Sequence, residues 1–237
     1  MHIILTGATG LIGTGVLACM LKQPSISKIT ILSRRPVRFA DDANDPRVNV
    51  IIHRDFSNYE DSSLQEQLRD ARGCVWALGS TSTSTVDKEE YVRATKEYAV
   101  SAARAFGKLG GVSEREPFRF VYVSGEGATQ SPGLTTSLYA KVKGEAEKEL
   151  AEVAEEMSSL MVIAPRPGAV DSAPHKEIHE YLPKPILMHK IVRTWLMTPI
   201  RVGYKSMYGS TEMLGNVYTR LVSLPALLHG SIEMHVW

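Results

Sequence analysis

The amino-acid sequence predicts an α/β protein built on a doubly wound parallel sheet, with a small C-terminal lobe. Short β-branched runs alternate along the chain with longer helical patterns. Most of these runs are continuously hydrophobic, which is typical of strands that are buried on both faces, as in a parallel sheet. Strand–helix alternation at this spacing is in turn typical of parallel strands joined by crossover helices.

The elements follow in chain order. The predicted strands are His2–Gly7, Lys28–Ser33, Val48–His53, Cys74–Gly79, Phe118–Ser124 and Leu160–Pro165. The predicted helices are Leu11–Gln23, Leu64–Arg72, Lys88–Lys108 and Thr136–Met157. After Pro165 prolines recur and helical stretches become short, so we expect one domain over 1–237, with a core over 1–170 and a substrate-covering lobe over 171–237. The alternating end of the chain, 231–237, predicts a late edge strand.

Composition and charge exclude several classes of protein. The chain has 237 residues, of which 43% are hydrophobic and 22% are charged, as in an ordinary globular protein. A net charge of +1 gives no electrostatic basis for binding nucleic acid or an anionic membrane. No apolar run approaches the roughly 18 residues of a membrane span, so we expect no stable membrane insertion.

The cysteines and the N-terminal strand predict a compartment. Cys19 and Cys74 lie far apart in the sequence and are expected to be buried, inert thiols, as is typical of proteins from a reducing environment. Because the first predicted strand starts directly after Met1, we expect no targeting peptide. We therefore predict a cytoplasmic protein.

The run TGATGLIG places Gly7, Gly10 and Gly13 between the first strand and the first helix. Glycine lets the backbone turn tightly and lets a pyrophosphate approach the N–H groups at the N-terminus of the helix. This context predicts a Rossmann dinucleotide site, against the alternative of a structural turn with an incidental glycine spacing. The predicted cofactor residues of the turn are Gly7, Thr9, Gly10, Leu11, Ile12 and Gly13.

The end of the second predicted strand bears on the choice of dinucleotide. It reads Ser33, Arg34, Arg35, and residues 24–40 contain no Asp or Glu. An NAD site usually has an acidic residue here, whereas arginine can hold the 2′-phosphate of NADP. The sequence therefore favours NADP(H) over NAD(H), with two solvated arginines as the alternative.

The third predicted strand is followed by Asp55 and Phe56. These residues stand where an adenine can be hydrogen-bonded by the carboxylate and covered by the ring. Asp55 can equally be the N-cap of the next helix, so both interpretations stay open.

Three residues predict acid–base chemistry on a carbonyl. Tyr139 and Lys143 lie one helical turn apart, and Ser124 ends the fifth strand, at the carboxyl edge where open α/β sheets bind ligands. In this interpretation the Ser124 hydroxyl orients the carbonyl, Tyr139 donates the proton, and Lys143 keeps the phenol reactive. An ammonium about 4–5 Å away is expected to lower the pKa of a tyrosine from ~10 by about 2–3 units before desolvation opposes it.

The alternative is an ordinary surface helix. Lys141, Glu145, Glu147, Lys148 and Glu149 lie on the same helix, so a tyrosine and a lysine four residues apart can arise by chance. We expect residues 145–149 to be solvated surface charge. The glycine turn and the serine at a strand end nevertheless favour a site at Tyr139 and Lys143.

On the runs TGATGLIG, VYVSGEGA, YAKVK and PRPGAV, the sequence resembles the short-chain dehydrogenase/reductase superfamily, in its atypical or extended branch. The resemblance covers approximately residues 1–170, and it is strongest to the Tat-interacting oxidoreductase-like proteins and their fungal relatives. It implies that Tyr139 is the catalytic acid/base, that Lys143 binds the nicotinamide ribose and that Ser124 orients the substrate. It also implies Ala77, Leu78 and Gly79 beside the adenosine ribose, and Pro167, Gly168 and Val170 beside the nicotinamide.

The sequence departs from this family in two respects. Many relatives have an asparagine in the helix after the fourth strand, where the nearest match here is Tyr91, so a proton relay through that asparagine is in doubt. Relatives that epimerise nucleotide sugars have a much longer C-terminal lobe. We expect this chain to be too short to bind such a substrate.

Two weaker patterns have alternatives of their own. His175 and His179 have a spacing that can bind zinc, but no third ligand is evident, so a polar lid helix is preferred and no metal is predicted. Pro183–Met197 is apolar with basic breaks and is expected to pack in the core or a substrate pocket, with a homodimer face or membrane contact as alternatives.

We predict an NADP(H)-dependent oxidoreductase that transfers hydride between nicotinamide and a carbonyl or alcohol of a small apolar molecule, with Tyr139 as acid/base. One alternative is a non-catalytic NADP-binding protein that regulates a protein partner. Another is a redox-neutral isomerase or cyclase on the same fold.

Overall fold

The fold is a six-stranded parallel sheet in the strand order β3-β2-β1-β4-β5-β6. A computed structural model of the chain describes residues 1–79, 87–109, 116–183 and 208–223. The strands are β1 (His2–Thr6), β2 (Lys28–Ser33), β3 (Val48–Ile52), β4 (Ala71–Trp76), β5 (Phe118–Tyr122) and β6 (Leu160–Ile163). This order is that of the Rossmann fold, and it confirms the predicted doubly wound sheet.

Helices cover both faces of the sheet. They are α1 (Leu11–Leu21), α2 (Arg38–Ala43), α3 (Ser62–Leu68), α4 (Lys88–Val92), α5 (Tyr98–Phe106), α6 (Leu138–Glu156) and α7 (Thr211–Ser223). One hydrophobic core cluster joins the strands to α5 and α6, and a second joins the opposite face to α1 and α7. Successive residues of one strand, such as Ile3 and Ile4 of β1, are fully buried in different clusters, because their side chains point to opposite faces of the sheet.

The single helix predicted over Lys88–Lys108 is three consecutive segments. A π-helical turn, Arg93–Glu97, separates α4 from α5. The hydroxyl of Tyr122 donates a hydrogen bond of 2.9 Å to the Thr95 carbonyl, so a side chain from β5 binds a backbone group of this turn. Insertion of a side-chain partner into the helical ladder is a common cause of such irregularities, and a period count along the sequence does not detect it.

The described C-terminal residues contribute to the core. Strands β7 (Ala169–Asp171) and β8 (Tyr208–Ser210) pair in parallel, and a 3₁₀ helix covers Lys176–Tyr181. Helix α7 packs closely on α1: a Cβ at Gly215 would lie 2.5 Å from the Gly15 carbonyl oxygen. Residues 171–237 thus include one helix of the layer that covers β4 and β5.

Other sequence-based expectations concern the two cysteines, a membrane span and two C-terminal segments. Cys19 and Cys74 are buried and free, and burial raises the pKa of Cys19 to about 11, which makes it a poor nucleophile. None of the helices in the described ranges is long and apolar enough to cross a membrane. The edge strand predicted at 231–237 and the part of Pro183–Met197 after Pro183 lie outside the described residues.

Candidate active site

The turn between β1 and α1 has the close backbone contacts that a dinucleotide cradle needs. Gly7 has φ +68°, and a Cβ there would lie 2.2 Å from the Ala77 carbonyl oxygen. A Cβ at Gly13 would lie 2.1 Å from the Gly7 carbonyl oxygen. Side chains at either position would collide with the backbone, so the loop can come this close to β4 and α1 only with glycine.

The N-terminus of α1 is open to an anion. Gly10 is the N-cap and supplies no side-chain hydrogen bond, and the first turn contains no acidic residue. The N–H groups of Leu11 and Ile12 and the positive end of the helix dipole are therefore available to a phosphate. These features fit the pyrophosphate of a nicotinamide dinucleotide.

The predicted 2′-phosphate residues lie beside this turn. Arg34 and Arg35 are both exposed at the end of β2, and Arg35 Nη2 donates a hydrogen bond of 3.1 Å to Thr9 Oγ1. Ser33 is buried, and its Oγ accepts a long bond of 3.4 Å from the Arg35 backbone N–H. The structure thus brings Thr9 and Arg35 together, whereas Arg34 makes no such contact with the turn among the described residues.

A small pocket that the sequence analysis did not predict adjoins Arg35. It has a volume of about 200 Å³ and is lined in part by Thr9, Arg35, Arg38, Phe39 and Tyr181. The rings of Phe39 and Tyr181 are stacked with centroids 4.5 Å apart, and the Arg38 guanidinium lies 5.5 Å from the centre of the Tyr181 ring. Tyr181 ends the 3₁₀ helix of the C-terminal part, and no local pattern connects it with α2.

The adenine contact expected for Phe56 needs correction. Phe56 is fully buried in the core, with its ring edge-on to Trp76 at 5.9 Å, so its faces are covered by protein. Asp55 is exposed, and its Oδ1 accepts hydrogen bonds from the backbone N–H and the hydroxyl of Ser57. These bonds lower the pKa of Asp55 and make it the first residue of an Asx turn, whereas the following helix α3 is capped by Asp61.

The two loops that the family resemblance placed around the cofactor lie at the same edge of the sheet. After β4, the Leu78 N–H donates a hydrogen bond of 3.3 Å to Thr6 Oγ1, while Gly79 is exposed. After β6, the Pro167 carbonyl accepts a bond of 2.9 Å from the Glu126 N–H. Gly168 and Val170 are half-buried, and Val170 belongs to β7. The loops after β5 and β6 are therefore fastened to each other.

Tyr139 lies in the first turn of α6, directly against the end of β5. The helix begins there because Ser137 caps it, its Oγ accepting a hydrogen bond of 3.2 Å from the Ala140 N–H. The phenol oxygen of Tyr139 lies against Gly125, where an added Cβ would be 1.6 Å from it. Glycine at position 125 is therefore required for the phenol to occupy this place, next to Ser124 in the chain.

The pKa of Tyr139 is raised, which reverses the direction expected from Lys143. Burial is the largest cause, and the neighbouring Tyr91, Glu147 and Glu126 add to it because each disfavours a second negative charge. The sequence-based expectation named desolvation as an opposing effect but gave the larger effect to Lys143, and it did not include the three neighbouring acidic groups. At neutral pH the phenol therefore keeps its proton in this structure.

Lys143 is an almost fully buried ammonium. Its Nζ donates a hydrogen bond of 2.7 Å to the Val123 carbonyl and lies 4.6 Å from the centre of the Tyr122 ring. Burial lowers the pKa of Lys143 to about 8, and the charge of Glu147 opposes that shift. The ammonium is consequently held under the end of β5 and still carries its proton at pH 7.

Ser124 is held by a buried ion pair that sequence reasoning missed. Its hydroxyl donates a hydrogen bond to Glu147 Oε1, and Glu147 in turn binds Arg166 through both carboxylate oxygens, with Arg166 Nε 2.9 Å from Oε1. Glu147 is only 6% exposed, so the expectation that residues 145–149 are all surface charge is wrong for this residue. The available signal was the i, i+4, i+8 spacing of Tyr139, Lys143 and Glu147.

Tyr91 reaches the same site from α4. It is fully buried, and its hydroxyl has no partner with hydrogen-bond geometry among the described residues. Burial raises the pKa of Tyr91, partly offset by the Thr95 hydroxyl, which is near without meeting hydrogen-bond geometry. The Tyr91 phenol is thus close enough to influence Tyr139 electrostatically.

The two histidines considered for zinc serve different contacts. His175 is buried, with Nδ1 3.0 Å from Thr211 Oγ1 and Nε2 3.0 Å from Glu177 Oε1. His179 Nε2 lies 2.7 Å from the Ser172 carbonyl oxygen. Within the described ranges no three His, Cys, Asp or Glu side chains are grouped so as to hold a metal ion.

Comparison with known proteins gives individual relatives, while no model of a protein family matches the sequence. The chain is 35% identical to leucinostatins biosynthesis cluster protein T of Purpureocillium lilacinum, over 94% of this chain and 85% of that protein. It is 28% identical to protein HTATIP2 of Rattus norvegicus, over 71% of this chain and 62% of that protein.

Solved structures share the fold at low identity. An oxidoreductase of the short-chain dehydrogenase/reductase family from Burkholderia thailandensis superposes with a TM-score of 0.65 at 14% identity, covering 95% of this chain and 86% of that one. The chain is thus homologous to the leucinostatins cluster protein and has the fold of a short-chain dehydrogenase/reductase. MoeE5, solved with UDP-glucose and NAD, superposes with a TM-score of 0.71 at 14% identity, covering 100% of this chain and 76% of that one. The predicted doubly wound fold is thereby confirmed.

Proposed function

We propose that this protein is an NADP(H)-dependent reductase of the short-chain dehydrogenase/reductase type, which acts on a carbonyl group of a small apolar molecule. The observation that carries the proposal is the phenol of Tyr139, which is held neutral against Gly125 and one helical turn from the buried ammonium of Lys143. A neutral phenol suits proton donation, because reduction of a carbonyl requires a proton on the oxygen as the carbon accepts hydride.

The residues of the chain divide this work. A bound NADPH supplies the hydride. The uncapped N-terminus of α1 and the cradle at Gly7 and Gly13 bind its phosphates. Tyr139 gives its proton to the oxygen of the former carbonyl, and the ammonium of Lys143 stabilises the phenolate that remains.

The preference for NADP rests on Arg35. Its guanidinium is exposed, contacts Thr9 of the phosphate turn and borders the 200 Å³ pocket. Residues 24–40 contain no Asp or Glu, so that segment has no carboxylate to bind the ribose 2′-hydroxyl of NAD.

The first test is Tyr139→Phe, which removes the phenolic proton and keeps the ring. We expect turnover of a panel of carbonyl compounds with NADPH to fall at least about a hundredfold, in line with the usual contribution of general acid catalysis. The affinity for NADPH, measured by calorimetry, should stay nearly unchanged. Undiminished turnover in this variant would exclude the mechanism, and a wild type without turnover on any carbonyl would favour a non-catalytic NADP-binding role or redox-neutral chemistry.

The second test is Arg35→Ala, which removes the group proposed to bind the 2′-phosphate. Charge-assisted hydrogen bonds contribute about 1.5–3 kcal/mol, so the affinity for NADPH should fall roughly ten- to hundredfold while that for NADH hardly changes. Arg69→Ala is the control, because this exposed arginine pairs with Glu66 and lies between α3 and the start of β4, at the opposite edge of the sheet from the phosphate turn. Equal losses for both dinucleotides would contradict the assignment.

A further inference from the structure

The hydroxyl of Ser124 can donate one hydrogen bond, and in the structure it donates that bond to Glu147. Ser124 Oγ donates to Glu147 Oε1, and the two oxygens of that carboxylate are also bound by Arg166 Nε and Nη2. The Ser124 backbone is fixed as well, because its N–H donates a hydrogen bond of 3.1 Å to the Pro165 carbonyl. A serine hydroxyl that donates in this direction has only lone pairs left for any other partner.

We propose that Glu147, held by Arg166, is a positioning residue that accepts the hydrogen bond of the Ser124 hydroxyl, so that Ser124 presents a hydrogen-bond acceptor to the active site. This inference rests on the proposed function of that site. It replaces the expected role of Ser124, in which its hydroxyl donates to a substrate carbonyl. The partner of Ser124 Oγ in the site is then a donor, namely the hydroxyl of an alcohol ligand or the phenol of Tyr139.

The burial of the ion pair explains why this arrangement is stable. The side chains of Glu147 and Arg166 are 5% and 20% exposed, so little water is available to replace the hydrogen bond of Ser124 to the carboxylate if that bond breaks. Hydrogen bonds to a charged acceptor are stronger than those between neutral groups. A substrate carbonyl, being neutral, competes poorly for the Ser124 proton against such an acceptor.

Glu147 also sets the charge around the other two site residues. Its carboxylate raises the pKa of Tyr139 and that of Lys143. The remaining groups that face them come from other elements: Tyr91 of α4, Tyr122 of β5, Glu126 after β5, Arg166 after β6 and Tyr218 of α7. Neutralising Glu147 should therefore shift the pH profile of turnover to lower pH, which a purely structural role would not do.

The experiment is a double-mutant cycle between Glu147→Gln and Ser124→Ala, read as kcat, KM and pH profile on a carbonyl that the wild type reduces. We expect Glu147→Gln alone to lower kcat roughly ten- to hundredfold, the range of a lost hydrogen bond to a charged group, with the affinity for NADPH changed less than about threefold. Each variant is compared at its own pH optimum, so that the shift of the pH profile does not contribute. In the Ser124→Ala background the same change should then alter kcat less than about twofold. A loss of equal size in both backgrounds, or no loss at all, would overturn the inference.

The matched control is Glu149→Gln, the same substitution two residues further along α6. Glu149 is 41% exposed and pairs with Lys96, so its change should leave kcat and the pH profile as in the wild type. If Glu147→Gln fails to fold, Glu147→Gln with Arg166→Gln replaces it, because two amides can pair where two charges did. A shifted profile in the control would contradict a specific role of Glu147.

A measurement independent of turnover separates this inference from the proposed function. In a crystal structure of the full chain with NADP⁺, Ser124 Oγ should remain within hydrogen-bond distance of Glu147 Oε1. Ser124 turned away from Glu147 would overturn the inference even if carbonyl reduction is found. A wild type without activity, together with the intact Ser124–Glu147 bond, would refute the proposed function and leave the inferred geometry standing.

Discussion

The two faces of α6 carry the same kinds of charged residues and use them differently. On the inner face, Lys143 and Glu147 are 7% and 6% exposed and bind the Val123 carbonyl and Arg166. On the outer face, pairs such as Lys148–Glu152 are more than half exposed and 3.9 Å apart. Charge identity in the sequence is therefore a poor guide to function, whereas the helical position relative to the sheet is a good one.

This difference is energetic as well as geometric. Exposed ion pairs contribute little because water screens them and their side chains lose entropy. Buried charges are costly to remove from water and are retained only with matched partners, so the loss of one partner leaves the other uncompensated. The inner face should accordingly respond strongly to substitutions that the outer face tolerates.

The largest difference is expected between Arg166→Met and Arg104→Met. Arg166 pairs with the buried Glu147 of the inner face, and its loss should lower the free energy of unfolding by about 3–5 kcal/mol. Arg104 pairs with Glu156 of the outer face, where both side chains are about half exposed, and its loss should cost about 1 kcal/mol or less. Urea denaturation measures both, and equal costs would remove the distinction between the faces.

A smaller effect is expected for Gly144→Ala. Alanine favours a helix over glycine by about 1 kcal/mol, yet a Cβ at this inner position would lie 1.9 Å from the Thr129 carbonyl oxygen. The backbone has to move, so we expect a net destabilisation of roughly 1–3 kcal/mol in urea denaturation. Glu145→Ala, one residue along and on the outer side, should change stability by about 0.5–1 kcal/mol at most. A stabilised Gly144→Ala would show that the loop at Thr129 yields freely.

The smallest effect concerns pH. The pKa of Lys143 is about 8 in the folded protein against 10.5 for an unperturbed lysine, so the unfolded chain binds the proton more tightly. Below pH 8 the folded state carries the full cost of the buried ammonium, and this cost fades as the pH rises from 8 to 10.5. Relative to Lys143→Met, the wild type should gain roughly 1–2 kcal/mol of stability between pH 7 and pH 9.5.

The matched variant for this measurement is Lys141→Met, which lies on the exposed side of α6. Its stability difference from the wild type should stay constant over the same pH range. A constant difference for Lys143→Met as well would mean that the Lys143 ammonium is hydrated in solution.

How far the sequence predicts this molecule depends on the range of the interactions. Continuous hydrophobic runs predict the six strands, because burial on both faces is recorded in the residues of the strand itself. Gly7 and Gly13 likewise indicate a tight turn from the sequence alone. Glu147 was misjudged because its partner Arg166 lies on another element, after β6. The raised pKa of Tyr139 has a similar origin, because the burial of its phenol, and then the approach of Tyr91 and Glu126, arise only in the folded chain.

The contact between Gly15 of α1 and Gly215 of α7 has a consequence for how the chain folds. The two glycines are 200 positions apart, and α7 also covers apolar residues of β4 and β5. Contacts of such sequence separation form late, because a long loop must close first. Until α7 docks, one face of the sheet keeps an apolar strip exposed to water, which is the kind of surface that promotes aggregation and engages chaperones.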